Sequence, residues 1–286
     1  MLIHDRSYHH WNGQLKSGRV SCWIVIARTE LKILAQRKFV RVIVAIPPLV
    51  YLVVHGVLVY LVNYFPESTA LLTIDPEFFK QFLMRNPVFP GFFIALIGVF
   101  SGANLISKDL RHNALSIYLS KPISWTDYLI GKISVMVFLL LMITCIPCLL
   151  LFIEHSLLSK DLEFILQNYW ILGSILVYSL VIIFPLSLLI VTFSSLTTDM
   201  RYAAVWFVSV LTGTPILQEI IEQTTRNRQT EIISIWGNFD ILGIQLFGLA
   251  SESKVTWVWS AAILVIMIVV CICVLRRQLR LVHVRN

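Results

Sequence analysis

A few groupings in this 286-residue chain have residue types and spacings that could do chemistry. "CIPC", Cys145 to Cys148, has the form of a redox pair. Its run, "VFLLLMITCIPCLLLFI", supplies neither a helix N-terminus nor a cation to lower a thiol pKa, so packing is the expected role. His4, His9 and His10 could ligate a metal, but they lie in a polar stretch without clear period, where a surface tail is the plainer account. "YLIGKIS" contains Gly131 and Lys132, yet a phosphate-cradling loop needs Gly where Thr126 stands and Ser or Thr directly after the lysine. The chain is not expected to bind ATP by that route. His55 is the one histidine near the centre of an apolar run, and haem between helices would need a second axial ligand, which leaves a satisfied core polar group. No Ser, His and Asp set, metal cluster or pair of carboxylates in a shared cavity stands out, so neither catalysis nor a resident cofactor or metal is expected.

One grouping remains, and its chemistry is recognition. "SKDLRHNALSIYLSKPISWTDYLIGK", 107–132, is charged and aromatic between two oily runs.

The elements that must position it follow from composition. Hydrophobic residues make up 57% of the chain and charged residues 14%, with a mean hydropathy of +0.80; the bilayer is its solvent. A crossing helix needs about 20 apolar residues. Six runs qualify, at 40–62, 87–106, 133–153, 170–193, 202–221 and 255–275. None alternates as a barrel strand would, so the fold class is an all-α integral membrane protein of six helices. The fifth run is the weakest, because Pro215 should break its ladder and Glu219 sits near its outer end. No span carries a charge near its middle, which disfavours an autonomous ion-coupled pump.

The arm together with Arg41 just beyond it, the 107–132 loop, the loop ending at Arg201 and the tail hold 17 of the 23 basic residues and five of the 16 acidic ones. Basic residues near span ends stay inside, so both termini are expected in the cytoplasm. The net charge of +7 then reads as topology and contact with anionic lipid, not as nucleic-acid binding. The first 39 residues hold no cleavable apolar core, and the first span is the expected insertion anchor. Cys22, Cys145, Cys148, Cys271 and Cys273 lie where no oxidising compartment would favour a disulfide.

Three regions result: an arm, 1–39; the six-helix region, 40–275; and a basic tail, 276–286. In the arm, about 21–38 reads as an amphipathic helix in the membrane interface, with Trp23, Ala27, Leu31 and Leu34 on one face and Arg28, Lys32 and Gln36 opposite. Glu30 projects close to the apolar face, where a carboxylate needs a partner. A short helix is expected after Asp75 with Pro76 at its first position. In the larger outer segment, 222–254, "IWGNFDILGIQLFGLA" is too short to cross and reads as a re-entrant or surface-lying pair of short helices around Gly243 and Gly248. Gly98 and Gly102, four apart in the second span, would let another helix approach closely, by default within the subunit.

Returning to 107–132, helix should continue from Asn104 to Leu119 until Pro122 ends it. Ser124 or Thr126 then caps the next helix, and Lys132 marks the start of the third span. Helix, proline corner and return make a rigid elbow, which transmits a push where a limp loop would not.

The order Asp109-x-Arg111, Ala114-Leu115, Tyr118, Leu119-Ser120, Lys121-Pro122-Ile123-Ser124 and Tyr128-Leu129-x-Gly131-Lys132 resembles the cytoplasmic loop of type-2 ABC transporter permeases, exporter type. "IARTELKILAQRKF" is similar to the helix that opens that family, and the six-span layout extends the likeness loosely over the chain. The family's usual Glu and Gly-Thr are here Asp109 and Asn113-Ala114. The resemblance implies two permease subunits, identical or related, on two separate ATPase subunits that hold ATP and Mg, with a coupling helix in this loop. It points to Asp109, Arg111, Leu115, Tyr118, Leu119, Lys121 and Pro122 for contact with the ATPase, and to Trp23, Arg28 and Glu30 for the supporting helix. The implied activity is export of an unnamed substrate, for which apolar spans favour an amphipathic or lipid-like cargo. The alternative is a non-transporting scaffold that transmits force, gripped by an outer partner.

Overall fold

A computed structural model of the chain describes residues 21–65, 75–84, 91–114, 123–158, 162–225, 228–250 and 255–285. The described residues are helical with no strand, and six helices are long and apolar enough to cross a membrane: Lys38–Tyr64, Gly91–Arg111, Trp125–Leu158, Asn168–Leu196, Met200–Thr225 and Trp257–Gln278. These are spans 1 to 6. Span 4 is the most enclosed and span 5 the least; span 4 packs against spans 2, 3, 5 and 6, while span 1 packs on span 3. Outward faces carry exposed aliphatic and aromatic side chains such as Val53, Val205 and Ile266, as lipid demands.

A helix at Cys22–Gln36 precedes span 1 and ends in one extended residue, Arg37. Ile26, Ala27 and Leu34 are buried, Trp23 and Leu31 are half-buried, and Arg28, Lys32 and Gln36 face outward together with Ile24, Val25 and Ile33. This helix packs chiefly against the first turns of span 3 and only secondarily against span 1.

Span 2 is not a regular helix. A π turn occupies Gly98–Gly102, with Ala103 N–H donating to Gly98 O at 2.7 Å. The freed backbone groups are satisfied from span 4. The Ser194 hydroxyl accepts from Ile106 N–H at 2.9 Å and Ser107 N–H at 3.1 Å, and donates to Ala103 O at 2.8 Å. We expect Ser194→Ala to cost about 1–3 kcal/mol by stranding buried backbone groups. A fall in the detergent-solubilised chain's thermal midpoint checks this; an unchanged midpoint would mean that another group replaces the hydroxyl.

The two glycines explain the turn. A Cβ on Gly98 would lie 2.2 Å from the Phe207 ring of span 5, and one on Gly102 would lie 2.6 Å from Ile190 of span 4. Close approach is therefore used within the chain, and these glycines do not form an open subunit contact.

Other expectations need correction. Span 5 runs unbroken through Pro215. The carbonyl that the proline ring leaves without its intrahelical donor, Leu211 O, accepts from the Trp236 indole Nε1 at 2.9 Å. Helix does not continue from Asn104 to Leu119: a short helix, Ser107–Arg111, closes span 2, and Asn113 turns left-handed with φ 50°. Among the described residues, 228–250 forms a single α-helix, Ile235–Leu246, after a 3₁₀ turn at Arg228–Ile233, not a pair of helices. Gly248, with φ 64°, ends it: its N–H meets Gln245 O and that of Leu249 meets Ile244 O, the paired closure that a left-handed residue permits. Gly243 gives Tyr178 its seat, since a Cβ there would lie 2.6 Å from the tyrosine ring. The helix after Asp75 is present at Pro76–Met84.

Candidate functional site

The described end of the chain that carries the 107–132 segment is organised by a buried charge. Lys132 lies in the second turn of span 3, whose start is fixed by Ser124: its hydroxyl accepts from Asp127 N–H at 3.1 Å. Its ammonium meets Glu30 Oε1 at 2.6 Å and Asp109 Oδ2 at 2.8 Å, and its side chain is 1% exposed. Tyr128, one turn earlier, donates its hydroxyl to the same Asp109 oxygen at 2.7 Å, and its ring lies 5.4 Å from the ammonium.

Three elements meet on this one cation: the helix before span 1 through Glu30, the foot of span 2 through Asp109, and the head of span 3 through Lys132 and Tyr128. Gly131 completes the joint. A Cβ there would stand 3.0 Å from Ile26 and from the Trp23 carbonyl, so glycine lets the N-terminal helix reach lysine distance. "Gly131-Lys132" is thus a seat and a clasp for the preceding helix.

The sequence-predicted residues divide accordingly. Glu30 and Asp109 come together; Asp109 is buried and turned inward, which makes it a positioning residue inside the elbow and not part of a partner-facing surface. Trp23 is half-buried on the helix face toward span 3, and Arg28 is exposed. Arg111 is 67% exposed and only 3.7 Å from Asp199, a solvent-screened pair. Leu115, Tyr118, Leu119, Lys121 and Pro122 lie outside the described residues. Lys132 and Tyr128 were missed as functional partners because a lysine at a span boundary reads as a topology flank; Glu30, close to an apolar face, was the available signal.

At the opposite end, a cavity of about 870 Å³ opens between spans 2 and 5 under the helices Pro76–Met84 and Ile235–Leu246. Its walls are apolar, with Phe92, Leu96, Val208 and Ile216, and its rim is polar. The Lys80 ammonium reaches Asp240 at 2.6 Å there, tying helix Pro76–Met84 to helix Ile235–Leu246. His55 is a satisfied polar group: its Nδ1 lies 2.9 Å from Tyr51 O, and its ring packs on Tyr51, Phe82 and Phe78. The cysteines are free, and no group of three or more metal-ligating side chains occurs among the described residues. No family model and no curated protein matches the chain.

Proposed function

We propose that the chain is the membrane-spanning permease subunit of an ATP-binding cassette exporter, seated in the cell membrane with both termini in the cytoplasm. The observation that carries the reading is the Glu30–Lys132–Asp109 joint. A device that converts the closure of separate ATPase subunits into helix movement needs a stiff connection between the loop that is pushed and the spans that must move. Here the loop leaves span 2 beside Asp109 and returns to span 3 beside Lys132, and Glu30 braces both with the helix before span 1. A push on the segment between them would displace spans 2 and 3 together, against a second permease subunit that is identical or related. The resemblance in 107–132 supplies the partner: two ATPase subunits in trans, which hold the ATP and Mg.

The apolar cleft with its charged rim supports an amphipathic or lipid-like cargo. The Lys80–Asp240 clasp favours one alternative, a scaffold that transmits force to an outer partner through these two helices.

Gentle purification of the tagged chain from its native membranes is expected to bring a stoichiometric ATPase. Charge reversal at Arg111 and Lys121 together should abolish that association and the ATP turnover. An intact complex with full turnover would overturn the assignment of the loop. A ligand that raises turnover indicates transport, whereas an outer protein held by 222–254 indicates the scaffold.

A further inference from the structure

Beside the Lys132 joint lies a second grouping that the proposed push does not use. A recess of about 490 Å³ opens where the inner ends of spans 1, 2 and 5 meet. Arg37, Lys108, Arg111 and Arg201 line it, with Asp199 as the one carboxylate, a surplus of three positive charges. Asp199 offsets little, since it lies 3.7 Å from Arg111 and both are more than half exposed. The nearest other acids, Glu30 and Asp109, are engaged by Lys132. Among the described residues Lys108 and Arg201 have no ion-pair partner, and the Arg37 guanidinium donates only to the Phe100 carbonyl, at 3.5 Å. The first turn of span 5, a 26-residue helix, adds unpaired N–H groups and the positive end of its dipole.

The recess also continues into apolar surface. Phe39 and Phe100 pack edge to face at 4.4 Å. Phe39 is 51% exposed, Phe100 41% and Met200 50%, so acyl chains would find contact next to the cations.

We propose that this recess is a phosphate-binding site, in which Arg37, Lys108 and Arg201 hold the phosphodiester of an anionic lipid headgroup. Cations at the ends of membrane helices collect anionic headgroups in this way. A free phosphate would present the same chemistry, so the test separates the two sources.

The full chain, purified in detergent, is offered equal amounts of dioleoylphosphatidylglycerol and dioleoylphosphatidylcholine and examined by native mass spectrometry. Phosphatidylglycerol adducts are expected to exceed phosphatidylcholine adducts by at least about tenfold, each cation contributing several-fold. Lys108→Gln with Arg201→Gln should bring the ratio close to parity. Both residues are exposed, and circular dichroism checks that the variant is folded. Adducts that persist in millimolar inorganic phosphate assign the site to lipid, and adducts lost there assign it to free phosphate. Parity in the unaltered chain, or a preference that survives the Lys108 and Arg201 changes, overturns the proposal. If those changes spare the lipid ratio and instead release the ATPase, the recess belongs to the protein partner.

Discussion

Lys132→Met is expected to lower the thermal midpoint of the detergent-purified chain by roughly 10 °C. The change removes the one cation between Glu30 and Asp109 and leaves two carboxylates in a site where the Asp109 side chain is 10% exposed and the Glu30 side chain 20%. Breaking a buried pair from one side typically costs about 3–5 kcal/mol, because the remaining charge keeps its desolvation cost without its partner. At about 2–4 °C per kcal/mol for a chain of a few hundred residues, that gives the expected shift. Methionine keeps the volume of the lysine stem, so a cavity does not confound the result. The triple variant Lys132→Met, Glu30→Gln, Asp109→Asn should recover most of the loss, since no charge is then stranded. A single variant that melts with the parent would show that the three elements are held by something else. Fluorescence-detected size-exclusion chromatography after heating gives both numbers.

The second large effect is expected at Gly98. Even alanine would bring a Cβ to 2.2 Å from Phe207 Cε1 and 2.8 Å from Cδ1, and the ring is itself fully packed. Overpacking of this kind costs about 1–3 kcal/mol, and Gly98→Leu should exceed that range enough to prevent a monodisperse preparation. The diagnostic is the double variant. In a Phe207→Ala background, Gly98→Ala should become nearly neutral, with a coupling of about 0.5–3 kcal/mol between the sites. Additive losses would mean that spans 2 and 5 do not touch there.

Much of this architecture is legible in the sequence because the bilayer imposes one dominant rule, about 20 apolar residues per crossing. All six spans were placed by it. What it misjudged is where helices start and how they break. Span 3 starts at Trp125 and not at 133, because Ser124 caps it and Glu30 and Asp109 neutralise the lysine that looked like a boundary. Span 5 keeps its course past Pro215 because an indole 25 residues from Leu211 supplies the missing donor, which no local pattern announces. The π turn in span 2 follows from bulky neighbours, Phe207 and Ile190, that only the fold brings against Gly98 and Gly102. The left-handed Asn113 ends the helix that was expected to run on to Leu119. Asparagine tolerates that conformation better than most residues. The joint was half legible: Glu30 announced a need, and only the structure names what meets it.

Glu30 and Lys132 stand 102 positions apart, and this separation sets an order of events during synthesis. At about 5–20 residues per second, the ribosome adds the lysine roughly 5–20 seconds after the glutamate. Span 1 would therefore be in the bilayer well before the helix preceding it has anything to dock on. Until span 3 follows, that helix is a free amphipathic segment with an unpaired carboxylate near its apolar side. Chains truncated before Trp125 and after Leu158 should accordingly differ sharply in how easily a protease cuts between Cys22 and Gln36.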